Sequence, residues 1–212
     1  LPAIMDGGPH QRIENGETWK AQFTIMNEEA TFWYHPHLDG KTAEHVYHGL
    51  AGLLIVKDPN SELALPDQYG TDDIPLIVQD KIFDVDGSFN YPGTRSGVKG
   101  DQFLVNGAVN PVFNAPAQLV RFRFLNGSNA RIYNFGFSDD RQFHQIGTDG
   151  GLLERPVPLT RLNLSPGERA EIVVDFSGEE NSQVGFIRGN LNEKVEDLFL
   201  FSARSPPIVK RR

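Results

Sequence analysis

The chain has 212 residues, 39% of them hydrophobic and 23% charged, a balance that excludes wholesale disorder and leaves room for one large domain or two ordinary ones. Its 28 acidic residues outweigh 20 basic ones, giving a net charge of −8, and no basic cluster precedes Lys210-Arg211-Arg212, so neither nucleic acid nor an anionic membrane is an expected partner. It contains no Cys, which excludes disulfides, thiolate nucleophiles, Cys-type zinc sites, iron–sulfur clusters and any copper centre built on a thiolate.

The chain opens Leu1-Pro2-Ala3-Ile4-Met5, with no initiator Met and no basic, apolar signal segment, as a trimmed or truncated chain would. Its longest apolar run, Gly49 to Val56, is strand-sized and far short of the roughly 20 residues that a membrane-spanning helix needs. Gly and Pro, 21 and 14 residues, are scattered along the chain. Tight-turn pairs recur at Asp6-Gly7, Asn15-Gly16, Asp39-Gly40, Asp86-Gly87, Asn106-Gly107, Asn126-Gly127 and Asp149-Gly150.

Between these turns, β-branched and aromatic residues predict strands at Trp19–Met26, Thr31–His35, Leu53–Lys57, Ile74–Phe83, Gln118–Leu125, Ile132–Phe137, Ala170–Phe176 and Leu198–Phe201. Val120-Arg121-Phe122-Arg123-Phe124 alternates as a half-exposed antiparallel strand should, apolar side in and polar side out. Only Lys41–His48 and Ser61–Gln68 are expected to hold a helical turn or two. Many short strands at this spacing predict an all-β sandwich or barrel. The polar stretch 59–73, with two prolines and no strand pattern, reads as a linker between a short β unit, residues 1–58, and a longer one, residues 74–204; residues 205–212, with Ser205-Pro206-Pro207, read as a further linker or tail. A complete seven-stranded sandwich takes about 100 residues. The first unit is therefore expected to be part of a domain that other residues complete.

Four of six histidines fall within one short stretch: His35, His37, His45 and His48. On an extended strand, residues i and i+2 point to the same side, so His35-Pro36-His37 can aim two imidazoles together, while Pro36 withholds an amide donor as suits a strand end. Without carboxylate or thiolate neighbours in the motif, an all-nitrogen site favours copper or zinc. His45 and His48 lie at i, i+3 and can share a helical face. They read as surface or structural groups, with the alternative that all four histidines form one mononuclear metal site. His10 and His144 are isolated and read as structural. Asp39 stands close enough to the pair to assist proton delivery, although half of an Asp39-Gly40 turn is its simpler role. Arg131 is a candidate domain-interface residue, and Asp139-Asp140 and Glu179-Glu180 read as solvated loops.

Thr31-Phe32-Trp33-Tyr34-His35-Pro36-His37, followed by Gly40-Lys41-Thr42 and Gly49-Leu50-Ala51-Gly52-Leu53-Leu54-Ile55-Val56, resembles the first domain of the multicopper oxidases, the bacterial laccase-like and copper-efflux enzymes in particular. The resemblance continues in the family's order through Asp73-Ile74-Pro75-Leu76-Ile77-Val78-Gln79-Asp80, Leu104-Val105-Asn106-Gly107, Arg121 to Arg131, Asp149-Gly150-Gly151 and Ser165-Pro166-Gly167-Glu168-Arg169. It implies cupredoxin-like Greek-key sandwiches, the first incomplete and the second without a copper site. It also implies His35 and His37 as ligands of the paired type 3 coppers, in an enzyme that oxidises phenolic or metal-ion substrates and reduces dioxygen to water at a trinuclear copper cluster. The upstream His-x-His of that cluster and the Cys of type 1 copper have no counterpart in these 212 residues. The chain alone is thus expected to be inactive and to be completed by the remainder of the first domain and a third cupredoxin domain, in a periplasmic or secreted protein. A non-catalytic cupredoxin-like scaffold or assembly protein is the rival, against which His35 and His37 speak, since relatives that have lost copper usually lose these residues.

Overall fold

The computed structural model describes residues 3–7, 11–179, 183–190 and 193–202. His10 and the expected tail at 205–212 lie outside them. The elements in chain order are α1 (Ala3–Asp6), β1 (Ala30–Tyr34), α2 (Thr42–Tyr47), β2 (Gly52–Val56), β3 (Asp73–Lys81), β4 (Gln102–Val105), β5 (Ala108–Val109), β6 (Val112–Phe113), β7 (Leu119–Asn126), β8 (Tyr133–Phe137), β9 (Phe143–Thr148), β10 (Gly151–Leu159), β11 (Leu162–Leu164), β12 (Arg169–Asp175), β13 (Gln183–Asn190) and β14 (Glu193–Ser202).

The fold is all-β, as expected. A seven-stranded sheet, ordered β10-β9-β12-β7-β3-β4-β5, packs on a five-stranded sheet, ordered β11-β8-β13-β14-β6. Every second residue of β3, β7 and β12 faces the second sheet: Ile74, Leu76, Val78, Val120, Phe122, Phe124, Ala170, Ile172 and Val174 meet Tyr133, Phe135, Phe137, Val184 and Phe186 in one core. Phe124 stacks on Phe135 and Phe186 at centroid separations of 5.4 and 5.3 Å. Asn106 and Gly107, with φ of 51° and 80°, close the β4–β5 hairpin as a primed turn demands. β10 carries Pro156 and Pro158, which a strand tolerates only at a sheet edge, and it is an edge strand.

β1 and β2 form a separate antiparallel pair, Ala30 opposite Val56 and Tyr34 opposite Gly52. The expected strand Trp19–Met26 is not formed. Residues 11–29 lie in irregular backbone with Trp19, Phe23, Ile25 and Met26 exposed, because among the described residues no strand stands beside them to take up their hydrogen bonds. Lys41–His48 does fold as α2, whereas Ser61–Gln68 forms no helix. Its run of Pro66 and acidic residues has no apolar stripe to bury.

The expectation of a half-exposed β7 also fails. β7 is antiparallel to β12 but parallel to β3, and its polar side is covered too: Arg121 and Arg123 are 2% and 0% exposed. The cover is β1 and the residues leading into it. Arg123 clamps Asp73 with two hydrogen bonds, Nε to Oδ1 at 2.6 Å and Nη2 to Oδ2 at 3.0 Å, and its Nη1 reaches Glu171 Oε1 at 3.0 Å and Thr31 Oγ1 at 2.8 Å. Thr31 in turn donates to Glu171 at 2.6 Å. Arg121 pairs with Glu171 and, at 2.8 Å, with Glu29. Two buried arginines thus meet two buried carboxylates, with Glu29 and the exposed ammonium of Lys57, 3.6 Å from Asp73, at the rim.

Further along the same sheet face, Gln79 donates to the carbonyls of Val46 and Gly127, both at 3.0 Å, and Tyr47 Oη donates to the Asn90 carbonyl at 2.8 Å while accepting the Ile82 N–H at 2.7 Å. These bonds dock α2. The N-terminal pair and helix thus lie across the outer face of the large sheet, fixed by polar groups that are mostly buried.

Candidate metal centre

β1 ends at Tyr34, and Pro36 has no N–H with which to extend the ladder. Alternate side chains nevertheless keep to one side. The rings of Trp33 and His35 stack at a centroid separation of 4.1 Å and a tilt of 25°, and His35 lies 4.3 Å from His37 at 32°. Four residues later the chain turns, closed by Lys41 N–H to the Leu38 carbonyl at 3.0 Å, with Gly40 at φ 70°. Asp39 sits exposed on that turn.

His35 Nδ1 is 3.0 Å from the Pro36 carbonyl oxygen. A carbonyl can only accept, so Nδ1 carries the proton and Nε2 keeps its lone pair; the same bond fixes the ring. Burial pushes the His35 pKa down, the neighbouring His37 adds to that, and the bond to Pro36 opposes it. The outcome is a neutral imidazole, the form that ligates metal. A half-buried and an exposed imidazole side by side, without a carboxylate between them, make a donor pair suited to copper or zinc, and two donors leave most of a coordination sphere to other groups.

The four histidines do not form one site. Among the described residues no three His, Cys, Asp or Glu side chains come together to hold a metal ion, which corrects the single-module alternative. The cause is the docking of α2. Its buried Val46 and Tyr47 face the large sheet, which carries His48 into the aromatic group of Phe89 and Tyr91, at ring separations of 6.1 and 6.3 Å. His48 Nδ1–H donates to its own helix at Glu44 O, 2.8 Å. His45, half-buried, has no partner for Nδ1. His144 is exposed on β9.

Arg131, the candidate interface residue, is anchored beside β3. It donates to Asp80 Oδ2 and the Gly100 carbonyl, each at 2.7 Å, within the sandwich, and it is Asn129 of that loop which reaches α2, donating to the Ala43 carbonyl at 3.1 Å. Asp139 and Glu179 are bridged by Arg141 and are more than solvated loop residues; hydrogen bonding to Arg141 holds the Asp139 carboxyl below its usual range. Sequence reasoning missed Glu29, Thr31, Asp73, Glu171 and Arg169 as the groups that fasten β1. Acidic residues inside strands, a position they usually avoid, were the available signal.

The chain is similar to known proteins over nearly its whole length. Residues 3–61 match the multicopper oxidase family model. The cell division protein FtsP of Xenorhabdus nematophila is 45% identical over 186 residues, 87% of this chain and 39% of that protein, and the multicopper oxidase mco of Staphylococcus haemolyticus is 43% identical over 185 residues, 86% of this chain and 41% of that protein. In structure, the laccase-like multicopper oxidase CueO of Ochrobactrum sp. superposes with a TM-score of 0.90 at 38% identity, covering 97% of this chain and 47% of that one. McoA of Aquifex aeolicus gives 0.86 at 36% identity, covering 97% and 48%.

Over nearly its whole length the chain is thus similar to multicopper oxidases, and residues 3–61 carry the family's own match. Its sandwich is the cupredoxin-like fold of that family, and copper is the family's cofactor. The chain spans about two-fifths of the length of these curated relatives. No helix among its described residues is long and apolar enough to cross a membrane.

Proposed function

We propose that His35 and His37 are copper ligands, each to one of a pair of coppers within a trinuclear cluster whose other ligands come from further sequence, in a periplasmic or secreted laccase-type oxidase acting on phenols or metal ions with dioxygen as acceptor. In this reading residues 1–58 are the C-terminal part of a first cupredoxin-like domain, 59–73 a linker and 74–204 a second domain that holds no copper. The observation that carries it is the side-by-side imidazole pair with the His35 proton fixed on Nδ1 and Nε2 left free. Copper, when bound, supplies one-electron transfer to dioxygen. The chain's own part is to orient two imidazoles side by side and to cover one side of His35 with Trp33. Two ligands and no Cys within these 212 residues make the chain by itself unable to turn over.

Dioxygen uptake with a phenolic or cuprous substrate tests both parts. A longer polypeptide containing this sequence takes up dioxygen and loses that activity with His35→Ala or His37→Ala, while the copper-treated 212-residue chain takes up none. Uptake by the chain alone, or full activity of the His35→Ala polypeptide, overturns the reading. The similarity to FtsP favours a second reading, a non-catalytic assembly protein. It predicts a longer polypeptide that binds no copper and consumes no dioxygen.

A further inference from the structure

β1 is held from the sandwich at every second residue. Glu29 accepts from Arg121 at 2.8 Å, and the backbone of Gly151, at the start of β10, approaches its carbonyl so closely that a Cβ there would lie 3.1 Å from that oxygen. Thr31 is bound through its hydroxyl to Arg123 and Glu171 and through its carbonyl to Arg169 Nε at 3.2 Å. Trp33 rests on the turn before β12, where a Cβ on Gly167, at φ 81°, would lie 3.3 Å from Trp33 Cζ2. Residues 29, 31 and 33 are one face of an extended chain, and the same alternation continues into His35 and His37, whose rings carry the stack on from Trp33.

The turn that supports Trp33 is itself rigid. Gly167 N–H donates to the Asn126 carbonyl at 2.8 Å and Asn126 N–H to the Glu168 carbonyl at 3.1 Å, tying it to the end of β7. Arg169 joins the pieces: its Nη1 donates to the Gly167 carbonyl and its Nη2 to the Asp149 carbonyl, both at 3.0 Å, while Nε reaches Thr31. One guanidinium therefore fixes the turn beneath Trp33 and the strand that carries Trp33 in a single frame.

Resting on the reading of His35 and His37 as copper ligands, we propose that Arg169 and Trp33 are positioning residues for that pair. The sandwich sets the angle of the imidazoles through the sequence Arg169, Gly167 turn, Trp33, His35, His37. A slip of β1 by one residue against the sandwich would turn the histidines to the opposite side. A planar ring of full size is needed at 33 because His35 stacks on it, and Arg is needed at 169 because a single ammonium cannot span three carbonyls.

Cu(II) alone, titrated into the full 212-residue chain and followed by electron paramagnetic resonance, tests this. His35→Ala and His37→Ala each lower Cu(II) affinity at least about tenfold if the ligand reading holds, and no change in either sinks that reading and the proposal together. With that established, Arg169→Met and Trp33→Leu are expected to weaken Cu(II) about tenfold and to alter the resonance, with far-UV circular dichroism unchanged; Trp33→Phe, which restores a planar ring, is expected to return affinity to within about threefold. If the histidine variants lose copper while Arg169→Met and Trp33→Leu keep the parent affinity and spectrum, the positioning role alone is wrong. Should Arg169→Met fail to fold, Gly167→Ala takes its place: its Cβ displaces Trp33 without touching a charge, and a parent spectrum in that variant likewise overturns the proposal.

Discussion

The two halves of the molecule handle the same kind of sequence in opposite ways. In the sandwich, Val120-Arg121-Phe122-Arg123-Phe124 places every side chain out of water, both phenylalanines in the core and both arginines under β1. In the N-terminal part, Trp19-Lys20-Ala21-Gln22-Phe23-Thr24-Ile25 alternates as regularly, yet Phe23 is 40% and Ile25 50% exposed and no strand forms. Alternation states which face a strand could bury. Whether it becomes a strand depends on neighbours that take its hydrogen bonds and its apolar face, and the sandwich has them where residues 11–29 do not.

The comparison breaks most completely at the buried charge cluster. Arg123 is wholly buried and satisfies Asp73, Glu171 and Thr31 together. Arg123→Met keeps the bulk of the stem but leaves buried Asp73 with only Lys57 at 3.6 Å while Glu171 keeps Arg121 and Thr31, and removal of one partner of such a buried pair costs about 3–5 kcal/mol. Urea unfolding of Arg123→Met should show a loss of this size, with the β1–β2 amides losing hydrogen-exchange protection before those of β12. A loss under about 1 kcal/mol would mean that water reaches the cluster and that the two halves are not locked together.

A smaller effect is expected where α2 meets the sheet. Lys81 is 1% exposed, its ammonium has no hydrogen-bond partner among the described residues, and it lies 4.5 Å from the Tyr47 ring centre and 5.1 Å from that of Phe89. Burial pushes its pKa down from 10.5 to about 8, against the opposing pull of Asp80. Below pH 8 the folded chain bears the full cost of a buried ammonium. Between pH 8 and 10.5 the unfolded chain binds the extra proton, so stability rises across that window, by roughly 2–3 kcal/mol. Tyr47 opposes this only above pH 10, where the unfolded phenol ionises while burial keeps the folded one protonated. Lys81→Met should be the more stable protein at pH 7 and should lose the rise; unfolding midpoints at pH 7, 8.5 and 10 decide it. A rise that persists in Lys81→Met assigns it to another group.

The sandwich was legible because its strands are local runs of β-branched and aromatic residues bounded by turns, and the His35-Pro36-His37 motif because alternation and a proline lie within three residues. What covers Arg121 was not legible. Glu29 lies 92 positions away in sequence, and nothing in either segment names the other. Arg169 was similarly opaque: three of its contacts are backbone carbonyls that every residue possesses, and its ion pair with Asp149 at 3.0 Å joins segments that nothing in the sequence links. β13 escaped for a different reason: Gln183-Val184-Gly185-Phe186-Ile187-Arg188-Gly189-Asn190 is weakened by two glycines, and it becomes a strand because β8 and β14 pair with it on either side.

The smallest effect separates the halves most sharply. Phe23 stands 40% exposed without a strand partner among the described residues, so Phe23→Ser in the 212-residue chain removes only partial burial and should cost about 1 kcal/mol. The corresponding change in the other half, Phe124→Ser, empties a site enclosed by Phe135 and Phe186 and should cost at least about 3 kcal/mol. The proposed first domain gives the pair a further use. In a longer polypeptide that supplies strands against residues 19–26, Phe23 passes from water into a core, and Phe23→Ser should then cost about 2 kcal/mol or more. The ratio of the two costs thus reports whether the open half has been closed, and denaturant midpoints of the four variants measure it. Equal small costs for Phe23→Ser in both contexts would mean that the added sequence packs elsewhere and that residues 11–29 are a surface in their own right.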